Sequence, residues 1–167
     1  MIPSHGDEAR VSVSVKATAE EAFRVFTEEI DRWWRHGLKF RNAPLGRSVL
    51  HIEPKVGGRF FETMTGDGQT RVIETGRVVA YEPPRRLVFE WRATNFAPTE
   101  KTEVEVLFQP QGRGTLVTVC HRGWNSIRAD HPVRHGEDVA SFLRMMGLWW
   151  ADLASSMREF IDSRAGA

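Results

Sequence analysis

The sequence has little cysteine and almost no excess of charge: its 167 residues include one cysteine, Cys120, and 23 basic side chains against 22 acidic ones. A single cysteine excludes an internal disulfide framework and a zinc site built on several thiolates, and it favours a reducing, cytoplasmic location. A formal charge of +1 argues against a nucleic-acid partner, because such binding depends on neutralising many phosphates.

Long apolar runs are also lacking. The most apolar stretch, residues 145–154, is much shorter than the roughly 20 residues that cross a bilayer, and it contains Asp152. The first residues show neither the basic nor the apolar segment of a secretory signal peptide. We therefore predict a soluble protein without a membrane span.

Motifs for common enzyme chemistry are missing as well. The sequence contains no Gly-x-Ser-x-Gly nucleophile turn, no Gly-x-x-x-x-Gly-Lys-Ser/Thr phosphate loop and no Gly-x-Gly-x-x-Gly dinucleotide turn. One segment is dense in potential metal ligands, namely Asp130, His131, His135, Glu137 and Asp138. Because Pro132 interrupts any helix between the two histidines, a solvated loop is the better interpretation. We expect neither a metal nor a cofactor.

The N-terminal pattern predicts a strand followed by a helix. Residues 11–15 alternate valine with serine, as expected of a half-buried strand. Thr18, with Glu21 three residues later, fits a capping box at the start of a helix. An apolar repeat at helical spacing then runs to the tryptophan pair at 33–34, and Gly37 is the predicted end.

From residue 49 to residue 124 the hydrophobic pattern changes to a period of two. Six candidate strands cover residues 49–53, 59–64, 70–81, 86–93, 102–109 and 114–123. Turns rich in glycine and proline separate them, as at Pro83 and Pro84. Since short turns join antiparallel neighbours, we predict a six-stranded meander.

The C-terminal pattern predicts one long amphipathic helix. Apolar residues recur at helical spacing from 137 to 162, a length of roughly 40 Å. The predicted order is therefore β–α–(β)6–α, an α+β single domain over residues 1–167 with an ordered core from about 9 to 162. One helix cannot fill the hollow of a strongly curved sheet, so large side chains or a ligand must fill the remainder.

Alternation within the strands predicts which side chains face that hollow. Leu87, Phe89 and Trp91 share one face, and the final strand turns His121 inward. A set rich in aromatic residues and methionine is predicted to line a ligand cavity together with His121, namely Trp34, Met64, Trp91, Phe108, Trp124, Met146, Trp149 and Trp150. The alternative is that these side chains simply fill the core. Six tryptophans are awkward to pack densely in one small domain, which favours the cavity.

The strand glutamates have two interpretations. Five of them alternate with apolar residues near Arg71, Arg77 and Arg92, namely Glu62, Glu74, Glu90, Glu103 and Glu105. A carboxylate pair for glycoside-type chemistry needs two carboxyl groups about 5–10 Å apart on the inner face. Most of these glutamates fall on the face opposite the apolar set, so cross-strand ion pairs on the solvated face are the better interpretation.

Several short motifs resemble a known family. Residues 83–91 are similar to the Pro-x-Arg-Leu-x-Phe-x-Trp signature of the AHSA1-type branch of the SRPBCC (START/Bet v 1-like, helix-grip) superfamily. Further similar pieces occur in the same order at residues 19–23, 56–60, 114–121 and 150–153, so the resemblance covers roughly residues 9–162. It implies a helix-grip fold, in which a curved antiparallel sheet of about seven strands is wrapped around a long C-terminal helix.

The resemblance also implies a cavity between sheet and helix, which the superfamily uses for lipids, sterols, polyketides and other apolar molecules. The leading hypothesis is binding of a hydrophobic small molecule of lipid, polyketide or aromatic type, with His121 or a tryptophan N–H orienting a polar group. One alternative is a cyclase or hydrolase in the same cavity, with His121 as the catalytic candidate, a proton shuttle. Another is a protein-interaction module like the Hsp90 activators, and a homodimer is compatible with all three.

Overall fold

The computed structural model describes residues 8–44, 46–92, 96–97, 100–124, 127 and 139–165. In chain order its elements are β1 (Glu8–Val15), α1 (Ala19–Glu28), α2 (Ile30–Trp33), β2 (Ser48–Ile52), β3 (Arg59–Gly66), β4 (Gln69–Glu82), β5 (Arg86–Trp91), β6 (Thr102–Gln111), β7 (Gly114–Arg122) and α3 (Val139–Ala165). The predicted β–α–(β)6–α order is confirmed, except that the first helix is divided in two.

The first helix begins where the capping pattern predicts. Thr18 Oγ1 accepts a hydrogen bond from the Glu21 backbone N–H at 3.2 Å, which satisfies one of the free amides at the helix start. The predicted continuous helix is broken at Glu29, whose carboxylate accepts a hydrogen bond from Arg164 of α3 at 2.5 Å. On either side of this break, Phe26 of α1 and Trp33 of α2 are both buried in the core.

Seven antiparallel strands form one curled sheet in the order β1-β7-β6-β5-β4-β3-β2. The predicted meander is confirmed, and β1 joins it beside β7, with Val11 opposite Val119. Phe89 of β5 lies opposite Val104 of β6, and both side chains are fully buried. Alternation therefore predicted the inner face of these strands correctly.

The long helix α3 packs against the inner face of the sheet, which completes a helix-grip fold of the α+β class. Trp150, Leu153, Met157 and Ile161 recur at helical spacing and belong to the same buried cluster as the inner face of the sheet. The backbone N–H of Lys16 donates to Asp162 Oδ1 at 2.8 Å, which ties the end of α3 to the end of β1. Among the described residues, no helix combines the length and apolar character needed to cross a bilayer.

Most of the strand glutamates form ion pairs away from the core, as predicted. Glu105 lies between Arg86 and Arg122, whose guanidinium nitrogens are 2.5 and 2.9 Å from its carboxylate. Burial acts to raise the pKa of Glu105, but the hydrogen bonds from the two arginines outweigh burial and lower that pKa. Glu62 is the exception, because it shares the inner face of β3 with Phe60 and is only 1% exposed.

Candidate functional site

Aromatic rings fill much of the space between the sheet and α3. Trp34, directly after α2, contacts Phe60 of β3, Trp91 of β5 and Trp150 of α3, with ring centroids 5.8, 6.2 and 5.6 Å apart. Trp149 makes edge contacts with both Trp34 and Trp91. These rings come from distant parts of the sequence, and only the folded chain brings them together.

An open cavity of about 180 Å³ remains beside this aromatic cluster. Its apolar lining consists of Trp34, Leu38, Phe40, Leu50, Phe60, Trp91 and Trp149. Its polar lining consists of Lys39, Arg41, Asn42, Glu62, Thr75 and Arg92. A dry cavity of about 150 Å³ accommodates one benzene molecule, so this cavity has room for a single ring or a short chain.

Two tryptophans hold the segment 38–42 over the cavity. The indole N–H of Trp34 donates to the Phe40 carbonyl at 3.0 Å, and the indole N–H of Trp149 donates to the Lys39 carbonyl at 2.9 Å. Both N–H groups are therefore used by the protein itself. Contrary to the sequence-based expectation, they are not available to orient a ligand, and these two residues offer the cavity apolar ring surface instead.

Arg41 anchors the same segment to the core. Its side chain is fully buried, and its guanidinium lies 2.7 Å from the Asp31 carboxylate. It also donates to the carbonyls of Trp34 at 2.7 Å and Ser48 at 3.2 Å. A charge can be buried only with such extensive pairing. Sequence reasoning missed Arg41, because nothing in the pattern of this loop distinguishes a buried arginine from an exposed one.

Glu62 is one of the lining residues, and its side chain is buried. Its Oε1 accepts hydrogen bonds from both the backbone N–H and the side-chain Nδ2 of Asn42, each at 3.0 Å. Its Oε2 is shielded from solvent and has no hydrogen-bond partner among the described residues. The sequence contains a usable signal, since alternation puts Glu62 on the same face as Phe60 and Met64. The prediction of solvated ion pairs for the strand glutamates is therefore wrong for Glu62, which is buried on the inner face.

His121 lies behind the aromatic wall and is fully buried. The indole N–H of Trp150 lies 3.0 Å from Nδ1 of His121. Because an indole N–H can only donate, Nδ1 must accept and the ring proton is on Nε2. Nε2 then donates to Thr102 Oγ1 at 2.7 Å, and the threonine hydroxyl donates to the Trp91 carbonyl at 3.1 Å.

The surroundings of His121 keep its ring neutral. Burial lowers the pKa of His121 from 6.5 to about 3, because a buried imidazolium loses its hydration. Both ring nitrogens are already paired within the protein, so this arrangement supports a role in positioning Trp91 and Trp150 rather than proton transfer to a substrate.

Five of the predicted cavity residues lie together at this end of the fold. Trp34, Trp91 and Trp149 line the cavity. Trp150 and His121 form the next layer, with ring centroids 6.2 and 5.6 Å from that of Trp91. The sequence set thus included three lining residues and two residues that support them.

The structure places the other four predicted residues outside the cavity lining. Phe108 packs against the α1 rings, with its centroid 5.1 Å from Phe23. Trp124 lies in a separate apolar cluster, which Met146 also contacts. Met64 is partly exposed near the end of β3. The predicted acidic and histidine-rich segment 130–138 lies outside the described residues, and within them no three potential ligands converge on a metal site.

A comparison with protein families extends the sequence resemblance. The profile of the family described as activator of Hsp90 ATPase homolog 1-like protein, AHSA1, matches residues 16–146. The chain belongs to this family. The resemblance inferred from its short motifs is therefore confirmed. A search of curated proteins found no match.

Solved structures similar to this AHSA1 family member share its fold at low sequence identity. A protein from Mesorhizobium loti is 18% identical with a TM-score of 0.63, over 93% of this chain and 97% of that one. A protein of unknown function from Staphylococcus aureus is 14% identical with a TM-score of 0.65, over 96% and 98%. An Aha1 dimer from Colwellia psychrerythraea is 14% identical with a TM-score of 0.61, over 93% and 96%. At these identities the comparisons establish the fold alone.

Proposed function

We propose that this AHSA1 family protein binds a small apolar molecule in the cavity beside Trp34, Trp91 and Trp149. The observation that carries the proposal is an open space of about 180 Å³ whose lining combines five aromatic residues with polar ones. Its family fold commonly binds hydrophobic ligands. The volume favours a ligand, or a part of a ligand, that is the size of one aromatic ring or a short acyl chain; a whole sterol or polyketide would extend out of the cavity.

The energetics set a limit on how tightly an apolar ligand binds here. Burial of about 150 Å² of apolar surface, as for one aromatic ring, contributes roughly 4 kcal/mol. This free energy corresponds to a dissociation constant near 1 mM. A tighter ligand must therefore gain from polar groups in the lining or from contacts at the cavity mouth.

The test is a titration of the full chain with toluene, followed through the indole N–H signals in two-dimensional NMR. We expect saturable shifts of the Trp34 and Trp149 signals, because these rings line the cavity. Trp149→Ala removes one aromatic wall and should weaken toluene binding about fivefold or more. Leu148→Ala is the matched control, since Leu148 is the adjacent residue and is 72% exposed. Absence of saturation in the wild-type protein, or equal binding by both variants, would contradict the proposal.

An enzymatic role in the same cavity has less support from the contacts of the site. The only catalytic candidate from the sequence, His121, has both ring nitrogens paired with Trp150 and Thr102. A cyclase or hydrolase would have to use another group or open this network. The leading proposal is therefore binding without a proton shuttle at His121.

Self-association and contact with an Hsp90-type chaperone remain predictions for this chain. Leu148 and Met145 of α3 expose apolar surface that a protein partner could cover, and the Aha1 protein of Colwellia psychrerythraea was solved as a dimer. Sedimentation of the wild-type chain and of Leu148→Glu tests self-association directly.

A cytoplasmic location stays part of the proposal, because the buried Cys120 is a free thiol.

A further inference from the structure

Among the described residues that line the cavity, Glu62 is the one acidic residue. We propose that Glu62 selects ligands that carry a hydrogen-bond donor, an amine or a hydroxyl, next to an apolar ring. This inference rests on the proposed function, because it assigns the chemical class of the molecule that enters the cavity. It goes beyond that function by naming the group that discriminates between apolar molecules of the same size.

The first argument is the unequal use of the two carboxylate oxygens. Oε1 accepts both N–H groups of Asn42 at 3.0 Å, which orients the carboxylate and leaves that oxygen well satisfied. Oε2 has no partner among the described residues, although it is shielded from solvent. A buried acceptor without a donor costs free energy. Because Oε2 has almost no surface open to the cavity, the Glu62 side chain must turn slightly for a ligand to reach it. A donor on the ligand then recovers that free energy, whereas an acceptor on the ligand adds repulsion.

The second argument is the neighbourhood of the carboxylate. Phe60 lies two residues before Glu62 on the same face of β3. The ring centroids of Trp34 and Trp91 lie 5.8 and 5.7 Å from the ring centroid of Phe60. Aromatic faces attract a cation as well as an apolar ring. A ring that bears a short amine-containing arm therefore matches both parts of the lining.

Two of the cations that line the cavity are paired with carboxylates other than Glu62. Arg41 is paired with Asp31 at 2.7 Å, and Lys39 lies 3.4 Å from Asp152. Arg92 is the third cation of the lining. We therefore expect both a positively charged donor and a neutral donor to be recognised. An amine and an alcohol are the corresponding probes.

The experiment compares four probes that share one ring: toluene, acetophenone, benzyl alcohol and benzylamine. Dissociation constants are measured on the full chain by the indole N–H titration. We expect benzyl alcohol and benzylamine to bind about tenfold or more tightly than toluene, since a hydrogen bond to a charged group has about that effect. Acetophenone, which can only accept, should bind more weakly than toluene.

Glu62→Gln is the diagnostic variant. Its carbonyl oxygen can keep the Asn42 hydrogen bonds while its amide N–H₂ replaces Oε2, so the preference should reverse towards acetophenone. Glu62→Leu, which removes both polar atoms, should abolish the donor preference and retain toluene binding. Glu74→Gln is the control, because Glu74 pairs with Arg77 in a partly exposed ion pair outside the cavity, and all four constants should stay unchanged.

The outcomes separate this inference from the proposed function. If none of the four probes binds the wild-type chain, the cavity proposal itself fails. If the probes bind with equal constants, or if Glu62→Gln and Glu62→Leu both keep the donor preference, the cavity binds ligands but Glu62 does not select them.

Discussion

The indole N–H of Trp150 donates to Nδ1 of His121 across 3.0 Å and so joins the middle of α3 to the end of β7. The chain of hydrogen bonds continues through Thr102 to the Trp91 carbonyl. Trp91 lines the cavity, so this buried network positions one of its walls. Each donor in the network has an acceptor, which is the condition under which a buried polar network specifies one arrangement.

The first prediction concerns the stability that this network provides. His121→Ala leaves the Trp150 N–H without its acceptor and creates a cavity, so the free energy of unfolding should fall by about 3 kcal/mol or more. Urea denaturation measures the change. His51→Ala is the control, because His51 is half-buried and stacks on Phe61, and its cost should be below about 1 kcal/mol. Similar losses for both variants would contradict the role of the network.

The second prediction concerns pH. Burial lowers the pKa of His121 from 6.5 to about 3, so between these values the unfolded chain binds a proton that the folded chain does not. The contribution of neutral His121 is fully present above pH 6.5 and is lost as the pH falls. At pH 4.5 the loss should be about 2 kcal/mol relative to pH 7.

A matched variant isolates this contribution from the other titrating groups. His121→Asn has no group that titrates in this range, so the wild-type advantage over this variant should shrink by about 2 kcal/mol between pH 7 and pH 4.5. Urea titrations of both proteins at the two pH values give the difference. A constant advantage would show that the folded histidine titrates near its ordinary pKa.

The third prediction concerns Arg41. Arg41→Lys keeps the charge but cannot bind Asp31 and the carbonyls of Trp34 and Ser48 at once, because an ammonium lacks the planar fork of donors. We expect a loss of about 2–4 kcal/mol in the free energy of unfolding, together with weaker toluene binding, since the segment 38–42 loses its anchor. Arg47→Lys is the control on an exposed arginine and should change neither quantity. Equal stability of the two variants would contradict the assignment.

The fourth prediction concerns the close approach of β4 to β5. A Cβ at Gly76 would lie 1.5 Å from the Glu90 carbonyl oxygen, whereas a Cβ at Gly66 would meet nothing within 4 Å. Gly76→Ala therefore forces the two strands apart and should cost about 2–4 kcal/mol, while Gly66→Ala should be nearly neutral. Thermal unfolding of the two variants makes the comparison, and an unchanged melting temperature for Gly76→Ala would contradict it.

Local features were predictable to the extent that they depend on near neighbours in the sequence. The helix start at Thr18 follows from one side chain and one amide three residues later. The inward position of His121 follows from the strand period of two. The break of the first helix at Glu29 was not predictable, because the hydrogen bond with Arg164 that accompanies it joins residues at opposite ends of the chain.

The candidate site was predictable only in part, for the same reason. Trp34, Trp91 and Trp149 belong to the predicted set because large aromatic side chains offer the apolar surface that suits a ligand cavity. Arg41 and Glu62 were not, because a charged residue is normally exposed and only its partners, Asp31 and Asn42, keep these two inside. Phe108 and Trp124 were predicted to line the cavity, but they pack in the core away from its lining.

The order of the elements, the meander, the inner faces and the family can be derived from the amino-acid sequence, since each depends on periodicity and short motifs. The position of the open space depends on the folded chain, because a cavity is the difference between the volume that the curved sheet encloses and the volume of all the side chains that fill it. The fold also sets which polar atoms around that space have hydrogen-bond partners. Hydrogen bonds such as that from Trp150 to His121 join residues far apart in the chain, and no local pattern encodes them.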